Sequence, residues 1–284
     1  MLNGKADFSQ YSFQKVFYPV RFAGIIKNGK SMNKEKYFSR IDIEKTDIAP
    51  SLENLKLLQK QHLLHVPFEN LNIHWKRAIV LDTKAISQKI LEENRGGFCY
   101  ELNGLFFKLL EEIGFRSKMI SARVSDGKGE FGAEFDHLAI LTEIDGEEYL
   151  VDVGFGSFTA EPLKFILDAE QKDENGVFLI RKFDGNYFEV VTKDGDEWKS
   201  EYIFTILPRD LAEFAEMCHY HQTSPESHFT QGKVFSLMTK VGRKTLTDSK
   251  FIETKGGQKN ERLINSVEEF NQILEREFGL KPGI

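Results

Sequence analysis

Three Asp-Gly dipeptides, at 145–146, 184–185 and 194–195, sit between runs of alternating apolar and polar residues. Asp-Gly between such runs favours a two-residue hairpin, because both central positions of that turn need a positive φ. The runs SKMISARV, HLAILTEI, EEYLVDVGF, GVFLIRKF, NYFEVVTK and EWKSEYIFTIL therefore read as strands of an antiparallel meander or small barrel. Ahead of them the period is helical. A helix is predicted over 51–66, N-capped by Ser51, with Leu52, Leu55, Leu58 and Leu63 as its apolar stripe. A second runs over 82–94, capped by Asp82 or Thr83. A third starts near Cys99, carries Leu102, Leu105, Phe106, Leu109, Leu110 and Ile113 on one face, and stops at Gly114. The C-terminal part is mixed: a helix near 208–220, strands around 233–254, and a last helix with Ser266 and Glu269 as a capping box, ending at Gly279. The chain thus divides into a helical segment (35–117), a strand segment (118–207) and a mixed segment (208–284). Residues 1–34 read as an N-terminal extension, disordered or loosely packed; a second methionine, Met32, stands just before the patterned sequence, as translation from an upstream start would leave it.

Composition narrows the function. Hydrophobic residues make up 40% and charged residues 29%, and the net charge is -6. That balance is ordinary for a soluble chain and argues against nucleic acid or an anionic membrane as the partner. No apolar run approaches the ~18 residues of a spanning helix. Two cysteines in 284 residues argue against a disulfide framework and fit a reducing cytoplasm.

One of the two cysteines, Cys99, stands in NRGGFCYELNG, where two glycines lead into the third helix. Glycine tolerates backbone angles that other residues resist, which suits a sharp entry. A thiol on the first turn of a helix meets free N–H groups and the positive end of the dipole; both favour thiolate, the nucleophilic form. The bland reading is a small buried apolar cysteine.

A nucleophilic thiol needs a base. His62 and His65 share one end of a helix and read as structural. Cys218, His219 and His221 are too loosely spaced for zinc, and Cys218 falls on the apolar stripe with Leu211 and Phe214, so no metal site is expected. His137 differs. A two-residue turn at Asp145-Gly146 pairs Ile144 with Glu147, hence Ala139 with Asp152 and His137 with Gly154. If no bulge intervenes, His137 and Asp152 share a sheet face as diagonal neighbours, with roughly 7–8 Å between their backbones. Asp152 lies in an apolar run, where a carboxylate needs a partner. Cys99, His137 and Asp152 together read as a Cys-His-Asp triad of thiol, base and orienting acid.

The segments RGGFCYELNGLF (95–106), VPFENLNI (66–73), DHLAIL (136–141), VDVGFG (151–156) and TSPESHF (223–229) resemble, in this order, the arylamine N-acetyltransferases of the bacterial type. The resemblance runs from about Tyr37 to the C-terminus. It implies an α+β fold with an N-terminal helical bundle, a central antiparallel β-barrel and a C-terminal α/β lid, and a cysteine-protease-like triad. It implies a ping-pong reaction in which acetyl-CoA acylates the thiol and an arylamine, arylhydrazine or N-hydroxyarylamine takes the acetyl group. Residue by residue, Cys99, His137 and Asp152 match the triad, Phe68 and Phe155 match acceptor contacts, and Gly154, Thr223 and Ser224 match places near the CoA arm. Arg95 and Glu69 match polar positions read as structural, a buried arginine and carboxylate that pair. A thiol hydrolase or amidase could use the same triad, and a non-catalytic binding protein could use the same fold.

Overall fold

The computed structural model describes residues 32–44 and 47–281. Most of the expected extension, residues 1–31, lies outside the described residues. Helix α1 (Lys34–Arg40) is capped by Asn33, whose side chain accepts from the Lys36 N–H, and α2 (Leu52–His65) is capped by Ser51 in the same way. A two-residue strand, β1 (Phe68–Glu69), and a single turn, α3 (Leu71–His74), follow. Where one α-helix is predicted over 82–94, α4 (Thr83–Ser87) widens into a π-type turn, Gln88–Glu92. The wider turn carries Lys89 inward, onto Glu101. Such widened turns are frequent at functional sites. Helix α5 (Cys99–Ile113) begins at the cysteine and ends at Gly114, which takes a left-handed φ of 101°.

The strands build an eight-stranded antiparallel sheet: β2 (Arg116–Val124), β3 (His137–Ile144), β4 (Glu147–Val151), β5 (Leu163–Lys164), β6 (Gln171–Asp173), β7 (Gly176–Lys182), β8 (Phe188–Asp194) and β9 (Glu197–Phe204). Their order in the sheet is β5-β4-β3-β2-β9-β8-β7-β6. The sheet curls into a nearly closed barrel, helped by a register shift at Val190/Val191. Between β5 and β6 a side chain does the work of a ladder: Gln171 donates to the Lys164 carbonyl at 2.9 Å and accepts the Lys164 N–H at 2.8 Å.

Strand β3 is buried on both faces. Leu138 and Ile140 pack with α2 and α5, whereas Ala139 and Leu141 fill the barrel with Ile120, Phe178, Ile180, Val190 and Tyr202. The β3–β4 register pairs Ile144 with Glu147 and Ile140 with Val151, as the Asp145-Gly146 turn predicts. His137 and Asp152 therefore fall on the interior side of the sheet, at the barrel mouth.

After the barrel, a 3₁₀ turn (Leu211–Phe214) leads into α6 (Ala215–Thr223) and the short α7 (His228–Gln231). A second sheet holds β10 (Val234–Thr239), β11 (Gly242–Thr247), β12 (Lys250–Lys255) and β13 (Gln258–Leu263), with β1 as its first strand. One face, through Phe235 and Leu246, packs on α8 (Val267–Phe278) by way of Phe270, Ile273 and Leu274. The opposite face carries Ser236, Thr245 and Thr247 towards a cleft. Among the described residues, no helix is long and apolar enough to cross a membrane, and no three histidine, cysteine or carboxylate side chains form a metal-binding group.

Candidate active site

The approach to Cys99 is fixed from below by buried charge. Arg95 donates to Glu69 through Nη2 at 2.7 Å and Nε at 3.1 Å, and to Asn72 at 3.1 Å; its guanidinium also lies 4.6 Å from the Trp75 ring. Lys89 donates to both Glu101 oxygens, at 2.9 and 3.0 Å, and lies 3.5 Å from Glu69. Burial alone would raise the Glu69 carboxyl, but Lys89 and Arg95 hold it below its ordinary value. Glu101 shifts the other way, raised by burial and by Glu69 against the pull of Lys89. Its Oε2 still accepts the Phe98 N–H at 3.2 Å, which caps α5.

The two glycines serve closeness of approach. Neither Gly96 nor Gly97 has a positive φ, contrary to the expectation from the sequence. A Cβ on Gly96 would lie 1.9 Å from the Pro67 carbonyl oxygen, and one on Gly97 would lie 2.7 Å from Glu101 Cβ. The segment can run beside β1 only without side chains.

Cys99 is 3% exposed, His137 2% and Asp152 2%. His137 Nε2 bonds Asp152 Oδ2 at 2.7 Å. The Asp152 carboxylate takes three further donors: the Tyr202 hydroxyl on Oδ2 at 3.2 Å, and the Asn103 amide and Gly154 N–H on Oδ1, each at 2.9 Å. Asn103, one turn after Cys99 on α5, also donates to the Leu138 carbonyl at 2.6 Å and accepts the Val153 N–H at 2.9 Å. It ties the cysteine's helix to both strands of the hairpin. Gly154 closes the gap: a Cβ there would sit 2.8 Å from Cys99 Cα. With Nε2 committed to the carboxylate, Nδ1 is the ring nitrogen left to accept a proton. The Phe155 ring stands edge-on to His137, centroids 5.2 Å apart, and Tyr202 lies at 5.3 Å.

The thiol's own equilibrium departs from the expectation. Burial pushes the Cys99 thiol well up, and the charges of Asp136 and Asp152 add to it; the Leu138 N–H, bonded to the sulfur, works against them. Desolvation and two carboxylates outweigh one helix terminus. A lone thiolate is disfavoured here, so ionisation requires the proton to stay nearby.

Cys99 and His137 line a cleft of about 750 Å³ with Phe68, Gly154, Phe155 and Phe229. Thr223 and Ser224 are not among the residues that line it. Thr223 ends α6 with its hydroxyl on the His219 carbonyl, and Ser224 accepts the Glu226 N–H in the turn before α7. The short α7 that follows instead brings His228 and Phe229 to the cleft. Cys218 is buried against Gln222 Nε2 at 3.3 Å, with its thiol pushed up to about 12 mainly by burial, while His219 on the same helix is exposed. Asn103 and Tyr202 escape sequence reasoning. Only the i, i+4 spacing of Asn103 from Cys99 signals it, and nothing local marks Tyr202.

These features define a class: a mixed α+β protein whose helical part brings a cysteine to a His–Asp pair at a barrel mouth, the arrangement of cysteine proteases. Comparison with known proteins makes the class specific. The N-acetyltransferase family profile matches residues 51–282. Human arylamine N-acetyltransferase 1 is 32% identical over 273 residues, covering 88% of this chain and 94% of that protein. The Salmonella typhimurium arylamine N-acetyltransferase / N-hydroxyarylamine O-acetyltransferase is 29% identical over 247 residues, covering 86% and 87%. A solved Salmonella typhimurium arylamine N-acetyltransferase superposes with a TM-score of 0.82 at 28% identity, over 87% of this chain and 90% of that one. An arylamine N-acetyltransferase from Bacillus cereus gives 0.81 at 26% identity, over 87% and 98%. The chain belongs to the arylamine N-acetyltransferase family, and is an acyltransferase.

Proposed function

We propose that this enzyme moves an acetyl group from acetyl-CoA to arylamines, arylhydrazines or N-hydroxyarylamines by a ping-pong mechanism through acetyl-Cys99, with His137 as base and Asp152 as orienting acid. The observation that carries the reading is the fourfold bonding of Asp152. Four hydrogen bonds hold that carboxylate in place, so it fixes the orientation and the tautomer of His137.

The chemistry follows from the raised thiol. The Cys99 proton passes to His137, and the thiolate–imidazolium pair keeps the charge inside the site. The sulfur adds to the thioester carbonyl. The backbone N–H of Cys99, on the first turn of α5, is a candidate donor to the oxyanion. Collapse expels the CoA thiolate, which takes the proton from His137. One thioester replaces another, so the step is nearly even in free energy. In the second half-reaction the acceptor nitrogen attacks, His137 takes its proton, and the Cys99 thiolate leaves. Phe68 and Phe155 in the cleft wall suit a flat aryl group. Gly154, at the cleft and against the Cys99 backbone, is compatible with a place beside the CoA arm. Thr223 and Ser224, away from the cleft wall, have no such support. Two free buried cysteines fit a reducing, cytoplasmic setting.

A thiol hydrolase would use the same three residues and release the acyl group to water; the family favours an amine. Steady-state rates measured against acetyl-CoA at several fixed aniline concentrations distinguish them. Parallel double-reciprocal lines with acetanilide as product are expected. Acetate as the main product at saturating aniline would sink the transferase reading.

A further inference from the structure

His221 is a second histidine set against a carboxylate near the nucleophile, and the triad does not use it. It lies on α6, 3% exposed, between two oxygens. Its Nδ1 is 3.0 Å from the hydroxyl of Ser227, which caps α7 by accepting the Phe229 N–H, and its Nε2 is 3.1 Å from Asp136 Oδ1. Rings on two sides hold it there: Tyr100 stacks on it with centroids 6.2 Å apart, and Phe229 stands edge-on at 5.1 Å. An imidazole with an oxygen at each nitrogen is arranged for the form in which both nitrogens donate, the imidazolium.

Asp136 makes that form matter. It directly precedes His137, lines the cleft with Cys99, and accepts the Val124 N–H on Oδ2 at 3.2 Å. It thereby ties the end of β2 to the start of β3. Its charge has a cost: after burial it is the largest influence raising the Cys99 thiol, ahead of Asp152. Asp152 has His137 and three further donors to answer its charge. A carboxylate left unanswered beside the thiol would disfavour the thiolate in both half-reactions. The other titratable groups around the His221 ring are turned to other tasks. Tyr100 on α5 gives its hydroxyl to the Phe135 and Asp136 carbonyls. His228 on α7, with its ring 6.1 Å away, is held below its ordinary pKa by burial and by His221. Tyr220, the neighbour on α6, stands edge-on at 5.6 Å.

We propose that His221 is a positioning residue for the nucleophile: as imidazolium it pairs with Asp136 and keeps that carboxylate from opposing the Cys99 thiolate. The proposal rests on Cys99 as the nucleophile of the reading above, and adds a group outside the triad that sets how readily it ionises.

The test is the rate of Cys99 alkylation by iodoacetamide against pH, followed by peptide mass mapping. It compares the wild-type chain, His221→Gln, Asp136→Asn and the double variant. His221→Gln keeps a polar side chain but no charge. Its midpoint is expected about one pH unit above wild type, a tenfold loss of rate at pH 7. In the Asp136→Asn background the same change should cost at most about twofold, the scatter of independent sites. Asp136→Asn alone should hold or lower the midpoint. The pairing is overturned if His221→Gln leaves the midpoint in place, or shifts it equally in both backgrounds, which would make His221 a packing residue. A midpoint raised by Asp136→Asn overturns it as well, and decides the matter should His221→Gln fail to fold. Acetylation by acetyl-CoA at pH 7 should follow the alkylation rates across the variants. A wild-type enzyme that is alkylated at Cys99 but gains no acetyl group would sink the transferase reading alone.

Discussion

Asn103 donates to Asp152 Oδ1 at 2.9 Å, and so links the helix that begins at Cys99 to the carboxylate behind His137. The thiol and the His–Asp pair come from different parts of the fold, and this amide joins them. Asn103→Ala removes a donor from the Leu138 carbonyl, the acceptor of the Val153 N–H, and one of the two donors to Asp152 Oδ1, which keeps the Gly154 N–H. It is expected to destabilise the enzyme by on the order of 3 kcal/mol, read from denaturant unfolding. Acylation should slow as well, because α5 is then free to shift against β3. A variant with wild-type stability and rate would remove Asn103 from the account.

Asp152→Asn tests the tautomer. Oδ1 accepts from Asn103 and Gly154, so an amide keeps its oxygen there and donates its NH2 to His137 Nε2; the ring then carries its proton on Nδ1, the nitrogen that has to accept the thiol's. Acylation by acetyl-CoA is expected to drop by about 10³- to 10⁴-fold in single-turnover kinetics. A loss below tenfold would mean that Asp152 serves the fold alone.

Much of this was legible in the sequence because it is local. The Asp145-Gly146 turn sets the hairpin register, and the register alone puts His137 and Asp152 on one face. The helix of Cys99 shows its period and its Gly114 stop. What the sequence hid depends on packing between distant segments. Gly96 is there because Pro67 approaches it, 29 positions earlier. Tyr202 reaches Asp152 only because β9 joins β2 as the barrel curls. The thiol shift went against the helix-terminus argument because burial, which no spacing reveals, is the larger effect. The pairing of Arg95 with Glu69 was foreseen, but Lys89 joins them through a π-type turn that periodicity read as plain helix.

That buried network gives a stability prediction. Arg95→Met removes the closer cation from Glu69 and leaves a fully buried carboxylate with Lys89 at 3.5 Å. Breaking one side of such a network costs about 3–5 kcal/mol. The expected result is a large fall in the unfolding midpoint together with lost activity, since the segment before Cys99 loses its anchor. Unfolding within 1 kcal/mol of wild type would show the network to be incidental.

His62 predicts a pH dependence of stability. It is fully buried, with Nδ1 2.6 Å from the Tyr37 hydroxyl, and burial, aided by Arg40 and His65, lowers its pKa from 6.5 to about 3. The unfolded chain therefore binds the proton first. Its contribution is fully present above about pH 6.5 and is lost as pH falls towards 3, by up to about 1.4 kcal/mol per pH unit. Unfolding midpoints between pH 7.5 and 5, where most carboxylates stay ionised, should fall for the wild type and fall less steeply for His62→Phe. Equal slopes would place the titration elsewhere.

The most direct test of the central claim is the intact mass of the enzyme after brief exposure to acetyl-CoA without amine, followed by addition of aniline. One acetyl group should appear on the wild type and not on Cys99→Ser, and it should leave as acetanilide when the amine arrives. A folded wild-type enzyme that gains no acetyl group, or a Cys99→Ser variant that still transfers it, would contradict the account.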